Sequence, residues 1–331
     1  MDILTHGLLG GSLAQSIARR RALPAAALAG FAGGILADVD ILVRSAEDPL
    51  LNLAFHRALT HWLIFIPVGG LIAALLVWPL LRRALPFARI YLFTFLGYAT
   101  HALLDAGTSY GTHLLGPFSD ARIAWNVVSV VDPVVTVLLL GGFGLALWRR
   151  SPWPARVGLL LALSYFLLGW EQRQRATEQV EQLAAARGHV IERIEVKPTL
   201  GNIVLWRSIY QSDGHYHVAA VRVGRELQVY PGGSLPALDL TEAVPALPRD
   251  SVLYRDILRF EHFSDGYLVW HPEHSGIIGD LRYSMQPDGL SPLWGIEIDT
   301  DRPQRHAPLH HFRSMDSKLR QRFLQLLGGT E

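Results

Sequence analysis

Six apolar stretches divide the first half of the chain: Ile3–Ala18, Ala22–Ala37, Trp62–Leu81, Ile90–Leu104, Ile123–Trp148 and Val157–Trp170. Each reads as a helix. Only Trp62–Leu81 is uncharged over the roughly 20 residues that crossing hydrocarbon requires; the others are shorter or carry one ionisable residue, such as His6, His101 or Asp132. A soluble helical core would show a similar pattern, so the arginines decide. Arg19, Arg20 and Arg21 separate the first two stretches, Arg82, Arg83 and Arg89 the third and fourth, and Arg149, Arg150 and Arg156 the last two. The opposite connections hold only Arg44, Arg57 and Arg122. That alternation predicts a membrane α-helical bundle of about six helices with both termini outside. Gly7–Gly11 and Gly30–Gly34 carry GxxxG spacings, which predict a close pair between the first two helices.

The pattern changes in the second half. Glu171–Arg187 is charged and helical in period, and continues the sixth helix out of the bilayer. Beyond Gly188, strands are expected at Val190–Val196, Ile203–Tyr210, Tyr216–Val223, Glu226–Tyr230, Leu258–Phe263 and Tyr267–His271, then at Tyr283–Met285 and Trp294–Ile298. Turns fall at Ser212–Gly214, Pro231–Gly233 and Ser264–Gly266, and a helix at Ser314–Leu327. The domains expected are thus a membrane-embedded metal-binding part over 1–170, a helical connector over 171–188 and a mostly antiparallel β domain over 189–331. The arginine count places this last domain outside, in the periplasm, where it would cover a site or select substrate.

Charge follows the same division. Residues 1–170 hold 12 Arg and 8 Asp/Glu; the remainder holds 18 Lys/Arg and 21 Asp/Glu. A net charge of +1 excludes a strongly basic nucleic-acid binder, and the lack of Cys excludes disulfides, thiolate zinc sites and thiol nucleophiles. The N-terminus does not read as a cleavable signal, because its arginines follow the apolar run and Asp2 precedes it.

Placing the ionisable residues on this topology brings seven of them to the outer face. His6 opens helix one, Asp38 and Asp40 close helix two, His56 and His61 lead into helix three, and His101 and Asp105 close helix four. His101 and Asp105 stand four apart, on one helix face. Ionisable groups at membrane depth are costly and mark function. Imidazole with carboxylate suits a divalent cation, zinc first, then manganese or iron. Seven groups exceed the needs of one tetrahedral ion and would serve two. In this reading His61, His101 and Asp105 are ligands, Asp38 or Asp40 bridges ions or acts as general base, Arg57 grips a substrate anion, and Asp132 orients a ligand histidine. A site among headgroups is open to a lipid or other phosphoester. The alternative is a non-enzymatic transporter or metal-stabilised scaffold, with Pro67, Gly69 and Gly70 as a break in helix three. The oligomeric state is left open.

These residues fall in motifs: Thr5-His6-Gly7, Gly34-Ile35-Leu36-Ala37-Asp38-Val39-Asp40, His56-Arg57-Ala58-Leu59-Thr60-His61 and Tyr98-Ala99-Thr100-His101-Ala102-Leu103-Leu104-Asp105. They resemble the successive motifs of the predicted membrane-bound metal-dependent hydrolases, some of whose members are known as LexA-regulated inner-membrane-associated hydrolases. Gly111–Phe118, Val131-Asp132-Pro133 and Asn202–Arg207 extend the resemblance over most of the chain. Ala37 and Trp62 stand where the family commonly has Pro and Ser. The motif order is distantly similar to zinc-dependent phospholipase C and related nucleases. The resemblance implies a metal-activated water acting on a phosphoester.

Two further signals lead elsewhere. Gly107-Thr108-Ser109-Tyr110-Gly111 spells GxSxG, but it follows a helix, which a nucleophile elbow does not. His215, His217, His271, His274, His306, His310 and His311 make the tail histidine-rich and read as exposed positions on hairpins and loops.

Overall fold

The computed structural model describes residues 1–314 and 316–329. The helices are α1 (Ile3–Ile17), α2 (Leu23–Leu36), α3 (Leu51–Phe55), α4 (Ile66–Leu81), α5 (Phe87–Gly107), α6 (Pro133–Arg149), α7 (Trp153–Ala186), α8 (Leu240–Ala243), α9 (Val252–Phe263) and α10 (Ser317–Gly328). Among the described residues there are thus ten, where the sequence predicted about six. The short α3 and the helices of the second half make the difference. Among the described residues, three helical stretches are long and apolar enough to cross a membrane: Arg20–Leu42, Leu63–Leu81 and Trp153–Ala186. Polar Thr94, Tyr98, His101 and Asp105 dilute α5, and α6 has only 17 residues.

The chain divides into two compact units. One comprises Met1–Leu42, Phe55–Glu171 and Leu200–Ile203; the other comprises Val43–Ala54, Gln172–Thr199 and Val204–Glu331.

In the first unit α1, α2 and α5 pack backbone against backbone. A Cβ on Gly34 would run into the His6 carbonyl, and one on Gly97 into that of Gly30. The spacing expected to pair the first two helices does so, and draws α5 into the same contact. Exposed leucines and valines line α4, α6 and α7, among them Leu76, Leu80, Val137, Leu160 and Leu167. Faces of this kind suit lipid. The helix expected over Ile123–Trp148 starts only at Pro133, because Asp132 caps it and proline at the first position leaves no N–H to satisfy. Residues before it fold back instead, with Trp125 N–H donating to Ala106 and Ile123 pairing with Thr112.

The second unit holds two four-stranded antiparallel sheets, β1 (Arg193–Pro198), β2 (Leu205–Ser212), β3 (His215–Val223) and β4 (Leu227–Pro236), then β5 (Leu268–Trp270), β6 (Ile277–Asp280), β7 (Trp294–Glu297) and β8 (Leu309–His311), each in chain order. The turn expected at Pro231–Gly233 lies inside β4, an edge strand, where proline is tolerated. Leu258–Phe263 is not a strand but the end of α9: Ser251 caps it, and Leu253, Asp256, Ile257, Phe260 and Phe263 are buried at helical spacing. Tyr283–Met285 forms only a bridge between Ser284 and Pro292. β6 and β8, unforeseen, have four and three residues. α10 begins at Ser317 behind an Asp316 cap rather than at Ser314; Met315, inside the predicted helix, lies outside the described residues.

Candidate metal centre

Each side chain of the centre is placed by the end of a helix. Asp2 caps α1 and leaves His6 in its first turn. α2 tightens into a 3-10 turn over Ala37–Leu42, which carries Asp38 and Asp40. Arg57 adopts φ 64°, a left-handed backbone that turns the chain into the short helix Leu59–His61. The last turns of α5 present His101 and Asp105.

Four ligand atoms then converge. His61 Nε2 lies 3.2 Å from Asp105 Oδ2 and 3.9 Å from Asp38 Oδ1; His101 Nε2 lies 3.5 Å from Asp105 Oδ2 and 3.4 Å from Asp38 Oδ1. Ligands about 2.0–2.1 Å from a tetrahedral zinc stand about 3.3–3.4 Å apart. His61 Nε2, His101 Nε2 and Asp105 Oδ2 are buried without a hydrogen-bond partner, which is costly unless something satisfies them. The donor set and its orphaned atoms therefore fit a divalent cation.

The tautomers agree. His101 Nδ1 donates to the Gly34 carbonyl at 2.6 Å, which leaves the Nε2 lone pair facing the quartet. The Thr60 hydroxyl donates its one hydrogen to Asp40 Oδ2 at 2.8 Å, so at 3.0 Å it accepts from His61 Nδ1. His61 Nε2 is thereby also left as a ligand.

A second group, Asp38, Asp40 and His56, shares Asp38 with the first. Asp40 is the knot of this part: Oδ1 is 2.8 Å from His56 Nδ1, and Oδ2 accepts from Arg57 N–H and Thr60, both at 2.8 Å.

Of the seven residues expected as ligands, the structure brings four into the quartet and adds Asp40 and His56 beside it. His6 stands behind. Its ring stacks on His101 at 3.6 Å and its Nε2 donates to Asp105 Oδ1 at 3.1 Å. That carboxylate oxygen also takes the Met1 amino group and Arg57 Nη2, the latter at 3.1 Å. Arg57, expected to grip substrate, is 3% exposed; its Nη1 donates to the Gly111 carbonyl and its guanidinium lies over Tyr110. Asp132, expected beside a ligand histidine, instead caps α6 and accepts from Tyr165. The GxSxG stretch starts on the last residue of α5 and makes no elbow. Thr60, Tyr98 (which donates to the Thr60 carbonyl) and Gly34 were not singled out as supports. Thr60 lies within the His56–His61 motif, a signal that could have found it.

In the second unit the structure brings His306, read from the sequence as an exposed tail histidine, together with Asp48 and Asp256, which the sequence reading passed over, and His271 is buried rather than exposed.

Residues 1–176 match the family model described as YdjM inner membrane protein. The chain is also 24% identical over 282 residues, 81% of each sequence, to the uncharacterized protein YfhP of Bacillus subtilis. No solved structure matches.

Proposed function

The chain belongs to the YdjM inner membrane protein family, and from that premise we propose that it is a metal-dependent membrane hydrolase acting on a phosphoester of lipid-like character. The observation that carries this reading is the quartet Asp38, His61, His101 and Asp105, in which the buried, unpartnered His61 Nε2, His101 Nε2 and Asp105 Oδ2 stand with the half-buried Asp38 near tetrahedral ligand separations. Zinc suits the donors best, with manganese or iron as substitutes. Asp38 belongs to both ligand groups, so it is the residue that would be shared if two ions are held.

A divalent cation here would supply Lewis acidity and an activated water at neutral pH. The chain's own residues prepare the place for it. Arg57 and His6 hold Asp105 through Oδ1, leaving Oδ2 for ligation. Asp40 orients His56 through Nδ1 and holds the backbone of Arg57, so His56 and His61 keep a fixed relation. A phosphoester is favoured because its transition state spreads negative charge over several oxygens, which concentrated positive charge stabilises. An amphiphile is favoured because the segments bearing the ligands expose apolar side chains, Val39, Leu42 and Leu59 among them. The arginine distribution supports a multi-pass arrangement with the site and the C-terminal domain on the periplasmic side.

The test is to incubate metal-loaded protein in detergent with a mixed phospholipid extract and soluble phosphodiesters, and to follow products by mass spectrometry. Wild type is expected to release a phosphorylated headgroup or a phosphomonoester, and His61→Ala neither. Identical product profiles for the two proteins would contradict the reading; metal-dependent cleavage of amide or acyl-ester substrates instead would reassign the bond.

A further inference from the structure

Within the first unit, the loop between α5 and α6 carries an apolar tip on a tied base. Thr112 pairs with Ile123, and His113 Nδ1 donates to the Asp120 carbonyl at 2.7 Å, which closes the loop at its foot. Beyond those ties Phe118 is 84% exposed and Leu115 47%. The tip is not a slack turn. The Leu115 carbonyl accepts from the N–H groups of Phe118 and Ser119 at 3.0 and 3.2 Å, and Pro117 has no N–H to satisfy. The Leu114 carbonyl accepts from Leu63 N–H at 2.9 Å. Backbone paired in this way can enter an apolar phase, which unpaired backbone cannot.

The bond to Leu63 also fixes the height of the tip. Leu63 opens the apolar stretch Leu63–Leu81, which has 19 residues. At about 1.5 Å per residue it reaches about 28 Å, close to the roughly 30 Å of bilayer hydrocarbon. Its first residue therefore stands where acyl chains meet headgroups, and the loop is bonded to that residue. Gly116 packs there as well, since a Cβ on it would run into the Trp62 ring. Exposed Leu63 and Ile64 carry the apolar surface of α4 to the point where the loop is attached. Trp62 beneath the loop and exposed Trp125 just after it are of the type that gathers at this boundary.

We propose that Leu115 and Phe118 insert into the lipid leaflet on the side of the metal centre, making residues 111–123 an interfacial anchor. The occupant is lipid because the tip continues the surface of a membrane span. Two projecting side chains also offer far less than the about 800 Å² a side of a stable protein interface. The anchor bears on the centre, because Arg57 Nη1 donates to the Gly111 carbonyl at 3.0 Å and the Arg57 carbonyl accepts from His113 N–H. Seating the tip in the leaflet holds these residues at headgroup level. The proposal goes beyond the hydrolase reading and does not depend on it.

The chain has no cysteine, so a single introduced one alone takes a thiol-reactive NBD fluorophore. Full-length Phe118→Cys and Leu115→Cys are labelled and reconstituted into vesicles of phosphatidylethanolamine and phosphatidylglycerol. The references are Ile72→Cys, midway along Leu63–Leu81, and Glu226→Cys, in the exposed turn between β3 and β4. Quenching by spin-labelled phosphatidylcholine is compared with quenching by iodide on both sides of the bilayer. The probes at 115 and 118 are expected to emit to the blue of the probe at 226. They should be quenched several-fold more by lipid than by iodide, and best by a spin label high on the acyl chain; the probe at 72 should respond best to one near the chain end. Iodide quenching at 115 and 118 as strong as at 226 would overturn the proposal, because the loop then stands in water. Protection from both quenchers would overturn it in favour of a protein cover, a second copy of the chain included. Both positions are exposed, so neither substitution removes a core contact, and each serves if the other variant fails to reconstitute. No readout involves metal or hydrolysis, so failure here is distinct from failure of the metal reading.

Discussion

Thr60 has one hydroxyl hydrogen and gives it to Asp40, and for that reason it receives the proton of His61 Nδ1. One small side chain thereby sets the tautomer of a ligand and ties it to the carboxylate that orients His56. Thr60→Val keeps the shape and removes both bonds. The expected result is a loss of about tenfold or more in zinc affinity, measured by chelator competition, with circular dichroism unchanged. Affinity equal to wild type would mean that packing alone orients His61. The histidines and aspartates were legible in the sequence because their types and motif spacing advertise ligation. Their division of labour was not. Whether His6 ligates or stacks, and whether Arg57 meets a substrate or braces Asp105, depends on contacts between segments far apart in the chain.

The helices that carry the site were legible from apolar runs, and their pairing from glycine spacing, since a missing Cβ has only a few uses inside a helix packed this closely. Failures came where local pattern is ambiguous. The apolar stretch Ile123–Trp148 contains a proline that starts a helix rather than continuing one, and α9 shows strand-like alternation over its last residues although its buried positions follow the helical period. Short strands such as β8 are set by their partners and leave little trace in the sequence. The arginines flanking the apolar helices yield a prediction of their own. Nine lie in the connections assigned to the cytoplasm, so a reporter fused after Glu331 should be active only if it works outside the cytoplasm. Alkaline phosphatase activity there agrees with the proposed topology; β-galactosidase activity in its place reverses the proposed side of the centre.

The two units differ in what holds them. The first is apolar and glycine-packed, with its histidine–aspartate cluster in one centre; the second buries charges that are satisfied within it, Arg207 by the carbonyls of Leu281 and Gly289 and Arg282 by Asp280. The excursion of Val43–Ala54 into the second unit was not legible, because nothing in its composition marks the distant Arg259 as its partner. Among the described residues the centre brings three buried atoms without a hydrogen-bond partner, His61 Nε2, His101 Nε2 and Asp105 Oδ2, to face one another. The most direct measurement is elemental analysis of the purified full-length protein beside His101→Ala and Asp105→Asn. At least one equivalent of zinc, manganese or iron per chain, falling well below one in both variants, is the result predicted. Less than one equivalent in wild type, unchanged by either substitution, would contradict a metal centre at these residues.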